Sequence, residues 1–462
     1  MATISSPGVG SGLDVQTIVS QLVALERRPI DLLKQQASRL STQLSSFGLL
    51  QSYVGNLQSA AEQLTRSGLW RQNVASSSDA ASVGVTVSES ASAGSYSVEV
   101  LQLARAQSLA SSAYADESAV LGEGTLTFTR ADGSTASVTI GPEDTTLAGV
   151  RDRINASDVG VRASIVRDAS GARLALTSTS SGVDAAVTRI DVVGDVGLQA
   201  LAFEQGVPGT VTETMTARNA QVLINGLSIE SGSNVLSNVI DGLTLTLSRT
   251  TASPVQVSVS ADDEAVRKSV GDFVNAFNDL ARFLAKETAY DEATKKAGSL
   301  QADRTAVGLI NRLRSLVTQS SSASSVFGTL SSMGVELQRD GTLRLNGTRL
   351  TQALTQRGEL EQALRRSADP TPEHEGFAQR FLSFANSIVG TSGSLTARTD
   401  GLRASIRRNE QQQAQYEDRV ALVQQRLLAQ YQALDVSLGR LNGLSNYVTQ
   451  QMNAINNWNK AK

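Results

Sequence analysis

Apolar residues recur at helical spacing near both ends of the chain and at strand spacing in between. Leu33, Leu40, Phe47, Val54 and Ala61 lie seven apart. A second row, Leu50, Leu57 and Leu64, sits three positions further on, preceded by the polar Gln36 and Gln43. Two rows with a seven-residue period predict a helix with a seam for a partner helix. Gly48 and Gly55 weaken it, each by roughly 1 kcal/mol relative to alanine. Pro29 is expected to separate it from a shorter amphipathic segment at 15–25.

From 73 to 262 the period changes to two. Val83, Val85 and Val87 alternate with small polar residues. So do Tyr96, Val98 and Val100, then Leu243, Leu245 and Leu247, and Val255, Val257 and Val259. Such alternation predicts strands with one buried face. Asp132-Gly133, Asn225-Gly226 and Asp241-Gly242 are candidate hairpin turns. One short helical run lies at 147–154. Antiparallel sheets are therefore expected rather than an α/β fold.

From 263 the helical period returns. Val266, Val270, Phe273, Phe277, Leu280 and Leu284 form one stripe, and Phe377, Phe381, Phe384 and Ile388 another. Between them VELQRDGTLRLNG predicts a hairpin turning at Asp340-Gly341. The clearest row is the last. Val420, Leu427, Leu434, Leu441, Val448 and Ile455 lie seven apart, with Met452 beside them. A helix over 395–456 would be roughly 90 Å long. It is too long to bury its apolar face within one compact domain, so it needs partners along its length. Gln430, Ser437 and Gln451 interrupt or border its seam. Polar seam positions lower the stability of helix pairing and help set its register.

The expected fold class is multidomain α+β. The N- and C-terminal segments form a helical leg with a terminal coiled coil, and mainly antiparallel β head domains occupy the middle. The expected divisions are a terminal helical region at 1–42, flexible when unassembled, and the first part of the leg at 43–72. One β-rich head domain comes from 73–109 with 211–262, and a second, inserted one from 110–210. The leg continues with its hairpin at 263–394, and a long coiled-coil helix at 395–462 pairs with the N-terminal region.

Composition removes chemistry from this picture. The 462 residues include no cysteine and one histidine, which excludes thiolate nucleophiles, sulfur-ligated zinc and paired-histidine metal motifs. With 41 Lys and Arg against 44 Asp and Glu, the net charge of −3 gives no general case for nucleic acid. Aromatics make up 4% of residues, few for a small-molecule pocket. His374, in ADPTPEHEG, reads as an exposed loop residue. The Gly8–Gly12 run GVGSG lacks the strand and the lysine that phosphate binding would need. Asp152, Asp158 and Asp168 do not fit a calcium loop. Arg27-Arg28, Arg365-Arg366 and Arg407-Arg408 read as solvated surface or partner contacts. No enzyme, cofactor or metal is expected. The N-terminus lacks a secretory signal, and no window suits membrane insertion.

Several segments resemble one family in order along the chain. GVGSGLDVQTIVSQLVALERRPIDLLKQQ, starting at Gly8, resembles the amino terminus of the flagellar hook-associated protein 2 family, the FliD filament caps. GSYSVEVLQLARAQ from Gly94 and VLINGLSIESGSNVLSNVIDGLTLTL from Val222 resemble its passages through the head. DRTAVGLINRLRSLV from Asp303 and GVELQRDGTLRLN from Gly334 resemble its leg, and LNGLSNYVTQQMNAINNW from Leu441 its carboxy terminus. Little in 110–210 carries the likeness beyond strand texture.

The resemblance implies a closed homo-oligomeric ring of about four to six subunits, the size differing among members. The ring sits at the distal tip of the bacterial flagellum, outside the cell, where it retains exported flagellin and promotes its folding and polymerisation. It implies export through the flagellar type III apparatus without a cleaved signal, and an export chaperone on the C-terminal region. The interaction residues it points to are Gly10, Ser11, Gly12, Leu13, Asp14, Ile18, Leu22, Leu33, Leu40, Phe47 and Val54 at the N-terminal end. At the other end they are Val420, Leu427, Leu434, Leu441, Val448, Met452 and Ile455. The texture alone also permits a surface adhesin, or another flagellar axial protein such as a hook–filament junction protein.

Overall fold

The computed structural model describes residues 14–293, 295–367 and 372–460. The chain divides into two compact units, one of Met1–Arg66 with Val266–Lys462 and one of Ser67–Ala265.

The first unit is helical. Its first helix, Val15–Thr65, runs without interruption through Pro29. The expected break is therefore absent. A proline costs a helix one backbone hydrogen bond, and burial of Ile30 just beyond it, at 4% exposure, helps hold the turn together. Gly48 and Gly55 have open space where a Cβ would stand.

Phe47, Leu50, Val54, Leu57, Ala61 and Leu64 are all buried. Helix Asp263–Thr288 buries Val266, Val270, Phe273, Phe277, Leu280 and Leu284, the whole expected stripe. Helix Phe377–Val389 buries Phe377, Phe381, Phe384 and Ile388. The Phe381 ring meets Phe273 at 5.0 Å and Phe277 at 6.0 Å, both edge-on, the arrangement that ring quadrupoles favour. Hairpin Val335–Leu337 with Leu343–Leu345 is pinned to this core by Asn278, whose amide donates to the Leu343 carbonyl and accepts from its N–H.

Two expected surface features are also bonded into this framework, Arg366 while remaining exposed. Arg365 donates to the Thr65 carbonyl and to Glu361, and Arg366 donates to the Ala323 carbonyl, so the pair closes helix and loop ends. His374 ends a short 3-10 turn, Pro372–His374, and is half-buried rather than exposed.

The second unit is built from antiparallel sheets around two cores. One core lies between a five-stranded and a three-stranded sheet. The first has the order Asn73–Ser77, Val255–Ala261, Gly94–Gln102, Ala220–Ile224, Leu227–Ser231. The other has Val235–Ile240, Leu243–Leu247, Val83–Val87. The alternating apolar residues fill it: Val98, Val100, Leu243, Leu245, Leu247, Val255, Val257 and Val259 are buried, while Val85 and Val87 pack partly buried at its margin.

The other core is enclosed by two four-stranded sheets and helix Leu147–Asn155, with Leu126, Phe128, Leu174, Leu176 and Ile190 inside. Its residues, Leu109 to Val211, are continuous in sequence and interrupt those of the first core. The turns form where expected. Asn225 (φ 49°) and Gly226 (φ 83°) join two strands in the left-handed geometry that two-residue hairpins need.

Gly242 has a similar φ of 76°, but a Cβ there would stand 2.4 Å from the Ala91 backbone nitrogen, whereas one on Gly226 would meet nothing within 4 Å. We expect Gly226→Ala to cost about 1–2 kcal/mol from conformation alone. Gly242→Ala adds the clash and should cost clearly more. Calorimetric unfolding of the sheet unit checks the order, and equal costs would contradict this packing.

Candidate interaction surface of the terminal helices

The last helix, Ser394–Lys460, runs antiparallel to the first. Arg398 lies over the Phe47 ring, 5.8 Å from its centroid, and the Asn409 amide reaches Gln36 at 3.4 Å. Further along, Val420 packs with Val15, Val19, Val23 and Ile30, and Leu427, Leu428 and Tyr431 border that cluster. Position numbers rise on one helix as they fall on the other.

The seam has three parts of different character. From Ser46 to Leu64 the first helix buries one continuous face, while Leu49 on the other side is exposed. Arg398 there pairs with the buried carboxylate of Asp303 at 2.8 Å, and Asp303 also caps helix Arg304–Thr318 through the Thr305 and Ala306 N–H groups. In the middle the seam is thin and polar. Leu33 and Leu40 are half-buried, and Asn409, 3% exposed, bonds Gln36 and accepts from Gln413 at 2.5 Å. A buried amide such as Asn409 in a helix seam fixes register at a cost in pairing strength. The third part is the apolar cluster around Val420.

Past Tyr431 the expected heptad row faces solvent. Leu434 is 44% exposed, Leu441 60%, Val448 52%, Met452 55% and Ile455 52%, and Leu444 and Tyr447 are exposed beside them. An exposed apolar row of this extent marks a contact surface.

The N-terminal candidates divide differently. Gly10, Ser11, Gly12 and Leu13 lie outside the described residues. Asp14 caps the first helix, its carboxylate accepting from the Thr17 N–H at 3.0 Å and the Thr17 hydroxyl at 2.5 Å. The hydroxyl bond, then the backbone bond, hold its carboxyl below the ordinary aspartate value. This support of the first turn is complete above that ordinary value and is lost as pH falls through the depressed one. Phe47 and Val54 are fully buried. Ile18 and Leu22 are only half-buried, because Val15, Val19 and Val23 occupy the seam. The valine spacing of four, with Ile30 seven beyond Val23, was the signal for this face. Asn409, Asp303 and Arg398 also went unnoticed, since each acquires its role from a residue distant in sequence.

Among the described residues no group of three or more His, Cys, Asp or Glu could hold a metal ion, and no helix is long and apolar enough to cross a membrane. A cleft of about 620 Å³ lies beside Arg312, Ser321, Glu373 and Arg380. Arg380 is committed there to the Ser320 and Glu373 carbonyls, so it closes the loop rather than presenting a free cation.

Two family models match at the ends of the chain: flagellar hook-associated protein 2 N-terminus over residues 11–107 and its C-terminus over 217–443. A third, the flagellin hook IN motif, matches 125–180, inside the stretch where the sequence carried little likeness. The A-type flagellar hook-associated protein 2 of Pseudomonas aeruginosa is 31% identical, with 97% of each chain covered. Its Escherichia coli K12 counterpart is 30% identical over 98% of each. The crystal structure of the D1-D2-D3 domains of the Escherichia coli flagellar cap protein FliD superposes with a TM-score of 0.62 at 28% identity. It covers 78% of this chain and 99% of that one.

The graded seam makes a testable contrast. Phe47→Ala should cost the isolated chain about 3–5 kcal/mol. Leu434→Ala, on an exposed face, should stay within about 0.5 kcal/mol. Denaturant unfolding followed by helical circular dichroism measures both, and comparable losses would contradict the gradient.

Proposed function

This chain belongs to the flagellar hook-associated protein 2 family, and we propose on that footing that it caps the growing flagellar filament. As a homo-oligomeric ring at the distal tip, it retains exported flagellin and promotes its folding and addition to the filament. The observation that carries this reading beyond family membership is the row Leu434, Leu441, Val448 and Ile455. It is a long apolar face exposed in the single chain, as an assembling end requires.

The leg functions through its terminal helices, whose pairing continues as a coiled coil once assembled. Asp14, Ile18, Leu22, Leu33 and Leu40 on the first helix, with Val420, Leu427, Leu434, Leu441, Val448, Met452 and Ile455 on the last, supply contacts among subunits and to the filament tip. Phe47 and Val54 brace the helix that presents them. Gly10, Ser11, Gly12 and Leu13, outside the described residues, are assigned to the same interaction role. The chain leaves the cell through the flagellar type III apparatus without a cleaved signal, a chaperone covering the exposed C-terminal row beforehand. The ring holds about four to six subunits. The two sheet cores are the head domains, 73–109 with 211–262 and the inserted 110–210, and they form the plate that retains flagellin.

A cap must release the tip and rebind as subunits are added. Reversibility favours a seam of modest strength, since about 1.4 kcal/mol changes an equilibrium tenfold. The polar layer at Gln36, Asn409 and Gln413 supports this reading.

Changing Leu427, Leu434 and Leu441 together to Gln tests the assignment. We expect the sheet unit to keep its unfolding transition, while filament growth in a strain carrying only this variant is lost. Unchanged filament length would overturn the role given to this face.

A further inference from the structure

Between the two cores of the sheet unit the chain crosses twice, at 104–107 and at 216–219. The crossings form a one-rung antiparallel ladder. The Arg105 N–H donates to the Arg218 carbonyl at 2.8 Å, and the Arg218 N–H donates to the Arg105 carbonyl at 3.1 Å. Each arginine also reaches across to the opposite strand. The Arg105 guanidinium donates to the Thr216 carbonyl at 3.1 Å, and the Arg218 Nε donates to the Leu103 carbonyl at 3.1 Å.

Two side-chain amides anchor the ends of this neck. Asn234, from the outer core, accepts from the Ala104 N–H at 2.7 Å and donates to its carbonyl at 2.9 Å. Gln107, 1% exposed, does the same with Val187 of the inserted core, at 2.7 and 3.1 Å. Each amide occupies the place of a strand rung where none can form, so the backbone groups stay paired.

Two strands alone would leave an axis about which the inserted core could turn. A third attachment, at 181–183, ties the inserted core both to the crossings, where the Gly182 N–H donates to the Arg105 carbonyl at 3.2 Å, and to the outer core beyond them. The Ser181 hydroxyl donates to the Gly232 carbonyl at 2.6 Å, and the Val183 N–H donates to Asn219 Oδ1 at 2.8 Å. The Asn219 amide nitrogen in turn donates to Glu230 at 3.0 Å. Gly182 has φ 94°, and a Cβ on it would stand 2.4 Å from the Gly232 Cα, so the two backbones touch with no side chain between them. Glycine at 182 meets both the conformational and the spatial demand.

We infer that the crossed arginines and the Gly182–Asn219–Gly232 contact form a locked neck, which makes the two sheet cores a single rigid arm rather than two bodies on a hinge. Motion at the inserted core is then passed to the outer core instead of being absorbed between them. Such polar locks are strong only while every member is satisfied, which makes the neck sensitive to single changes.

The absence of native cysteine allows clean labelling of the full chain. Spin labels at Glu143→Cys and Ser258→Cys, both exposed, span the neck. A reference pair, Glu143→Cys with Glu204→Cys, stays within the inserted core. Double electron–electron resonance should give a neck-spanning distance distribution no wider than the reference. Adding Gly182→Val, or Arg105→Ala with Arg218→Ala and Asn219→Ala, should at least double that width while the reference pair stays narrow. A neck-spanning distribution twice as wide as the reference in the otherwise unaltered chain overturns the inference, and this arm needs no neck variant to fold. So does an unchanged width in folded neck variants, judged by a retained narrow reference distance.

Discussion

The structure of this chain depends on the antiparallel contact between its first and last helices. That contact joins the two ends of the sequence and makes everything between them a closed excursion. Hydrophobic burial supplies the strength, and it is distributed unevenly. At Phe47, Val54 and Leu57 the inward face of the first helix is fully buried. Around Gln36 and Asn409 two helices meet through amides. Past Tyr431 the apolar row is exposed, from 44% at Leu434 to 60% at Leu441. A helix is marginal in water without tertiary packing. Order along the pair should therefore decline from its buried part toward its exposed end.

This gradient suits a cap. A uniformly apolar seam would hold the end too firmly for repeated release, and a uniformly polar one would not hold it at all. The Arg398 contact with Asp303 and Phe47 marks where the strong part begins, because it ties the last helix to a buried cap of another helix. What varies along the chain is how completely each apolar face is covered.

Much of the fold was legible because periodicity reports the buried face. The stripes Val266 to Leu284 and Phe377 to Ile388, the alternating strands and the Asn225-Gly226 turn all follow from local rules. Pro29 misled because its cost is local whereas its compensation, the burial of Ile30, is tertiary. Arg365 is half-buried for a similar tertiary reason, its guanidinium meeting the Thr65 carbonyl, while Arg366 stays exposed as its sequence suggests. On the candidate surface, the apolar row of the last helix is readable from its heptads, but its exposure is not. The neck could not be read at all, since Gly182, Asn219 and Gly232 are ordinary residues until the fold brings them into contact.

Hydrogen exchange of the full-length protein, resolved by peptide and measured alone and on filament tips, tests the central claim most directly. The account predicts slow exchange at 394–409 in the free chain. It predicts fast exchange at 436–456, which turns slow on the tips. Equal, strong protection of both segments in the free chain would contradict it.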